Sequence, residues 1–213
     1  MKKIFYIIVL LLLIGCKTNN EKKLENNRTV TTIFDKSEIE DLRKILTFFN
    51  EQICDNENII ECYQRFLKRV AEQEKEYIIE INIPFQEQLK MYNQINENTF
   101  NQIWVFYEMR HRDYPDVLKY LNFNINGKYL KFLKEFGKEN IIIENYLDRY
   151  RQLGGISMPY SSITKYLEDY DEQGIRRVKD IYEDYDVEDE RIQLVIAIHY
   201  LTLNDNFERI EKY

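Results

Sequence analysis

The chain has 213 residues, with 30 Lys and Arg against 37 Asp and Glu, for a formal net charge of −7. That balance argues against nonspecific nucleic-acid binding, which depends on basic side chains neutralising phosphates. Three Pro and six Gly are too few for a turn-rich sandwich or barrel, so the sequence predicts an all-α domain: an irregular antiparallel helical bundle or a short stack of helix pairs, with no clear repeat period.

Met1-Lys2-Lys3 places positive charge at the start, Ile4 to Ile14 form an unbroken apolar run, and Leu13-Ile14-Gly15-Cys16 closes it. That order is the pattern of an export signal. The run covers eleven residues, whereas a membrane-crossing helix needs roughly twenty, so it is read as a cleaved segment and not a span. Leu13-Ile14-Gly15-Cys16 resembles the lipobox of bacterial lipoproteins. The resemblance is confined to this segment and implies cleavage before Cys16, lipidation of its sulfur and acylation of its new amino group. Two or three acyl chains anchor a protein stably, which places the body on the non-cytoplasmic side of a membrane, in the periplasm or at the cell surface. Removing residues 1–15 also removes Lys2 and Lys3, leaving 28 basic against 37 acidic side chains.

Residues 16–34 are polar and carry no sustained apolar period, so the lipidated Cys16 is expected to continue into a flexible tether, with one helical domain over 35–213. Ser37-x-x-Glu40 matches a capping box opening the first helix, whose inward stripe is Ile39, Leu42, Ile45, Leu46, Phe49 and Ile53. Asn58-x-x-Glu61 opens a second helix, with Ile59, Cys62, Tyr63, Phe66, Leu67 and Val70 inward. With Cys16 taken by lipid, Cys54 and Cys62 are the remaining thiols. They are read as a disulfide clamping the hairpin in an oxidising compartment; the alternative is a buried Cys62 thiol and a free Cys54.

Residues 77–83 alternate like a strand but have no evident partner, so they are read as a helix tail ended by Pro84, with the strand as the alternative. A helix follows through 86–92. Another, capped by Thr99, contains Ile103-Trp104-Val105-Phe106-Tyr107, and Asp113-Tyr114-Pro115 restarts a short one that Asn126-Gly127 breaks. Tyr129, Leu130, Phe132, Leu133 and Phe136 form a stripe ended by Gly137 as a left-handed cap; Ile143, Tyr146, Leu147 and Tyr150 repeat it before Gly154-Gly155. Two more short helices are expected around 163–170 and 175–185. The last, from Ile192 to Leu203, is apolar nearly all round, which makes it the packing hub. Asn204-Asp205-Asn206 is expected to end it.

Catalytic and metal-binding patterns are incomplete. Glu108-x-x-His111 is half of a di-iron motif without its second half, and His199 reads as a neutral core residue. Asp169-x-Asp171-x-Gln173-Gly174 starts like a calcium loop, then places Asp180 where a bidentate Glu belongs. Ser157, Ser161 and Ser162 have no nucleophile elbow and no assignable base. The reading is therefore of a binding protein without catalytic residues, cofactor or metal. From Glu168 to Glu190 the chain carries eleven carboxylates, interleaved with Tyr170, Tyr182 and Tyr185. A solvated acidic face is the ordinary explanation. The sharper expectation is a docking surface for a basic protein, formed by Tyr170, Tyr182, Tyr185, Asp184 and Asp186, in the manner of an immunity protein or hydrolase inhibitor. A scaffold lipoprotein of envelope machinery is the alternative, and an enzyme built from scattered Glu, Tyr and Arg a third.

Overall fold

The computed structural model describes residues 20–55, 57–75, 80–110, 117–155, 163–170 and 176–210. Its bulk is an irregular helical bundle, as expected, with two small antiparallel hairpins set into it.

The N-terminal segment departs from the tether expected there. A 3-10 turn at Leu24–Asn26 leads into helix α1, Arg28–Ile33, whose first N–H groups are satisfied by Asn27 Oδ1 accepting from Thr29 N (3.0 Å) and Val30 N (3.3 Å). Leu24, Val30, Ile33 and Phe34 are all buried. Four apolar residues scattered over eleven positions make no periodic stripe, but each fills a gap in the surrounding bundle; Phe34 packs against Phe132 with centroids 6.1 Å apart.

Helix α2 runs from Lys36 to Ile53, and its cap lies two residues before the expected Ser37. Asp35 is the N-cap: its Oδ1 accepts from Glu38 N (3.0 Å), while Glu38 Oε2 accepts from Asp35 N (2.8 Å). The Glu38 carboxylate also pairs with Lys128 Nζ at 2.6 Å, and Ser37 Oγ donates to Asp35 Oδ1 at 2.7 Å. Asn58 caps α3, Ile59–Lys75, through Ile60 N (2.9 Å). The predicted stripe is buried on α3 from Cys62 to Val70, with Ile59 at its start half-buried, and Phe66 meets Phe49 edge to face at 5.5 Å. Cys54 and Cys62 are at disulfide distance, with Cα atoms 5.5 Å apart, which an unstrained bridge requires.

Residues 77–79 lie outside the described residues, and 80–84 are neither helix nor strand. Ile81 and Ile83 are buried, and Ile83 O accepts from Asn204 Nδ2 at 3.0 Å. Helices α4, Phe85–Gln94, and α5, Glu97–Ile103, follow. Thr99 is not a cap: it sits inside α5, buried, and donates to Asp41 Oδ2 at 2.7 Å.

At Trp104 the chain leaves the helix expected there. Strand β1, Trp104–Arg110, pairs antiparallel with β2, Val117–Phe123, in the register Trp104↔Phe123 and Tyr107↔Tyr120. A run of aromatic and β-branched residues suits a pleated surface better than a crowded helix. Its partner was obscured because Val117, Leu118, Leu121 and Phe123 also fit helical spacing.

Helices α6, Lys128–Gly137, and α7, Ile141–Leu153, form the next pair. Gly154 supplies the left-handed stop at φ 72°. Gly137 is instead the last residue of α6, and its use is close approach: a Cβ there would lie 3.1 Å from Glu144 Cα. Where two further helices were expected, β3, Lys165–Tyr170, and β4, Arg176–Asp180, make a second hairpin. Helix α8, Glu190–Ile210, is the hub; it packs on α2, α4 and β2, and Leu194 to Ile198, Tyr200 and Leu201 have no solvent exposure. It continues through Asn204-Asp205-Asn206 because those side chains bond to the surrounding structure, Asn206 Nδ2 donating to Leu121 O at 2.9 Å.

Candidate functional site

The structure describes some of the residues proposed from sequence and leaves others outside the described residues. Cys16 lies outside the described residues, as do His111 and the serines at 157, 161 and 162. Tyr170 is placed by its backbone at the end of β3, opposite Arg176. Tyr185 offers no contact area: it is 6% exposed, and its hydroxyl donates to Ile163 O at 2.8 Å. Burial pushes its phenol well above the ordinary range. Tyr182 is half-buried, while Asp184 and Asp186 are exposed.

The end of the acidic run is largely occupied internally. Lys22 Nζ lies 2.9 Å from both Asp186 and Glu188. Glu190 receives Lys23 and Arg43, each at 2.8 Å, and the backbone N–H of Leu24 at 3.0 Å. Arg191 pairs with Asp189 at 2.6 Å and covers the Phe136 ring at 4.1 Å. Burial pushes the Glu190 carboxyl up, but Arg43, Lys23 and the Leu24 N–H together hold it below the usual range. These carboxylates fasten the N-terminal segment to the start of α8. The signal for this in the sequence was Lys22-Lys23, which stood in what read as tether.

A different face brings exposed apolar and basic groups together. The two-residue period of the β1/β2 hairpin puts Val105, Tyr107, Tyr120 and Asn122 on one side. Tyr107 and Tyr120 stack across the strands at 5.6 Å, with Tyr107 36% exposed. Asn122 Oδ1 accepts from Tyr150 OH at 3.2 Å, joining this side of the hairpin to the end of α7. Beside that junction a cleft of about 560 Å³ opens between the start of α6 and the end of α7, lined by Ile125, Leu130, Lys131, Lys134, Tyr150 and Arg151. Ile125 is 64% and Leu153 39% exposed. Lys131, Lys134 and Arg151 place three cations on the lining of the cleft. Sequence reasoning missed Tyr107 and Tyr120 because it read their strands as helices. Lys131 and Lys134 on α6, with Lys138 just past its end, were a legible basic stripe.

The one described histidine does not line this cleft. His199 is fully buried, its Nδ1 lies 3.1 Å from Tyr146 OH, and burial, with the nearby Arg149 charge, lowers its pKa to about 3. Among the described residues no group of three or more His, Cys, Asp or Glu converges to hold a metal ion, and no helix is long and apolar enough to cross a membrane. Tyrosine and aliphatic contact area flanked by cations can bind an anionic or acidic surface, while the described cleft assembles no base and nucleophile. No protein-family model matches the chain, and no curated protein or solved structure matches it.

Proposed function

We propose that the chain is a lipid-anchored protein of the bacterial cell envelope that works by binding another protein through the Tyr107, Tyr120, Ile125 and Lys131 face. The lipobox at Leu13-Ile14-Gly15-Cys16 supports the anchor, and the Cys54–Cys62 pair suits an oxidising compartment. The observation that carries the binding role is the exposed Ile125 sharing one cleft with Lys131, Lys134 and Arg151, with the hairpin side that bears exposed Tyr107 joined to that cleft through the Asn122–Tyr150 bond, on a chain that is otherwise acidic. Tyrosines supply contact area, and cations steer encounter with an acidic partner. An immunity or inhibitor role is compatible with a small binder of this kind. A basic partner docking at 184–190 is less favoured, because Asp186, Glu188, Asp189 and Glu190 already carry internal cations.

A photo-crosslinker at Tyr120 in cells should capture a protein that one at the exposed Glu61 of α3 does not. With that partner purified, reversing Lys131, Lys134 and Arg151 together should slow association at low salt by about tenfold. Reversal of Glu183 and Asp184 having the larger effect would restore the basic-partner reading and remove this one.

A further inference from the structure

We infer that two copies of the chain pair edge to edge through β1, so that their hairpins form one four-stranded antiparallel sheet about a two-fold axis. The inference goes beyond the partner-binding reading and depends neither on it nor on the anchor.

The hydrogen bonds of the hairpin fix which backbone groups face outward. Asn206 binds Leu121 as a neighbouring strand would, its Nδ2 donating to Leu121 O at 2.9 Å and its Oδ1 accepting from Leu121 N at 2.6 Å. The Leu121 N–H and C=O therefore point away from β1, and those of its cross-strand partner Phe106 point away from β2. The same alternation turns Glu108 outward, two residues on. On β2 the fold meets this need. Asn206 serves Leu121, and at Phe123 the N–H donates to Asn122 Oδ1 at 2.9 Å while the carbonyl accepts from Tyr150 OH at 3.4 Å. On β1 it does not. Among the described residues nothing bonds to the outward N–H and C=O of Phe106 or Glu108, and Phe106, Tyr107 and Glu108 are all exposed. The main neighbours of β1 are β2 and the end of α5.

Proteins commonly guard such an edge with Lys, Pro or a bulge. The β3/β4 hairpin has a shifted register and carries Lys165, Arg176, Arg177 and Lys179 in its strands, whereas β1 contains neither Lys nor Pro and pairs without a break from Trp104 to Arg110. An edge left in this state is a template for another strand.

A second β1 fits it. A two-fold axis at Tyr107 pairs Phe106 of each copy with Glu108 of the other, so the outward groups of both residues are matched in both copies. Tyr107 then lies opposite its own counterpart, which extends the Tyr107–Tyr120 stack into a row of four tyrosines. On the other side of the sheet, Glu108 of one copy faces Phe106 of the other, whose ring carries the Arg209 guanidinium at 4.7 Å, so unlike charges meet at the joint. An axis at Glu108 would set two carboxylates against each other, and one at Phe106 would call on the Trp104 N–H, already donated to Phe100 O. The pairing sets the two Tyr107 faces side by side on one surface.

The test is cysteine crosslinking of the full chain in the cells that express it, with two differently tagged copies present. Tyr107→Cys places the two Cα atoms about 4.5 Å apart across the axis, within disulfide reach, whereas Tyr120→Cys leaves them three strand spacings, or about 14 Å, apart. Mild oxidation should give a dimer-mass band at least about tenfold stronger for Tyr107→Cys than for Tyr120→Cys or the exposed Ile141→Cys, and each tag should recover the other. Phe106→Cys on one copy and Glu108→Cys on the other, about 5.5 Å apart in this register, should link as well and report the pairing with Tyr107 intact. Bands no stronger than that of Ile141→Cys at all of these positions overturn the pairing. Equal bands at 107 and 120 overturn it in favour of contact through the faces. Crosslinked species in which one tag never recovers the other assign the edge to a strand of a different protein and overturn it too.

Discussion

His199 illustrates how one buried side chain sets a response of the whole fold. Its imidazole has an ordinary pKa of 6.5, lowered to about 3 in the folded chain by burial. As pH falls below about 6.5, the unfolded chain takes up the proton first, so the stability contributed by the neutral ring is complete near neutrality and declines toward about pH 3. Between pH 7 and pH 4 the loss is on the order of 3 kcal/mol. Urea unfolding of His199→Gln should therefore show a flatter acid limb than the wild type. Coincident slopes would mean that the ring is not buried in its neutral form. Nearby hydroxyls share this apolar setting: burial raises the phenols of Tyr129, Tyr146 and Tyr200 well above their ordinary range. Tyr185 belongs with them, which is why its place between carboxylates in the sequence misled: Tyr182 and Tyr185, three apart, straddle the edge of the core.

At the scale of elements, two devices hold short pieces in place. The Cys54–Cys62 bridge joins the end of α2 to the first turn of α3 across a loop of sequence separation 8. Reduction should lower unfolding free energy by about 2–3 kcal/mol in the chain-entropy account, and a Cys54→Ser, Cys62→Ser variant should be insensitive to reductant. Thermal melts with and without dithiothreitol measure this directly. The second device is the Lys22, Lys23 and Arg43 cluster on Glu190 and its neighbours. Glu190→Gln leaves partly buried cations unmatched, and at about 2 kcal/mol it should raise tryptic cleavage after Lys22 and Arg28 by roughly 30-fold. An unchanged cleavage rate would show that apolar burial of Leu24 and Phe34 alone retains the segment. The long helices were legible because their stripes run over many turns, as in α2, α3 and α8. The hairpins were not. A strand of five to seven residues offers too few positions to separate a period of two from one of 3.6, and Tyr166, Leu167 and Tyr170 satisfy helical spacing by coincidence. The candidate face inherits that weakness, since it depends on which side of β1 and β2 each tyrosine occupies.

For the molecule as a whole, α8 decides cohesion. It meets α2, α4 and β2 directly, its Tyr200 ring contacts Phe66 of α3 at 5.0 Å, and its His199 ring contacts Tyr146 of α7 at 5.6 Å. Ile198, fully buried, has partners in this shared core. Ile198→Ala should cost about 2–5 kcal/mol and lower the far- and near-ultraviolet dichroism transitions together, since both report one cooperative unit. Transitions that separate would identify a subdomain independent of α8. The bond from Leu24 N to Glu190 spans 166 positions of sequence. A polypeptide threading outward from its amino end cannot close that first layer until nearly all of it has emerged. On the export reading proposed above, late arrival of the final helix would keep the chain loose enough for translocation, with folding completed only on the far side.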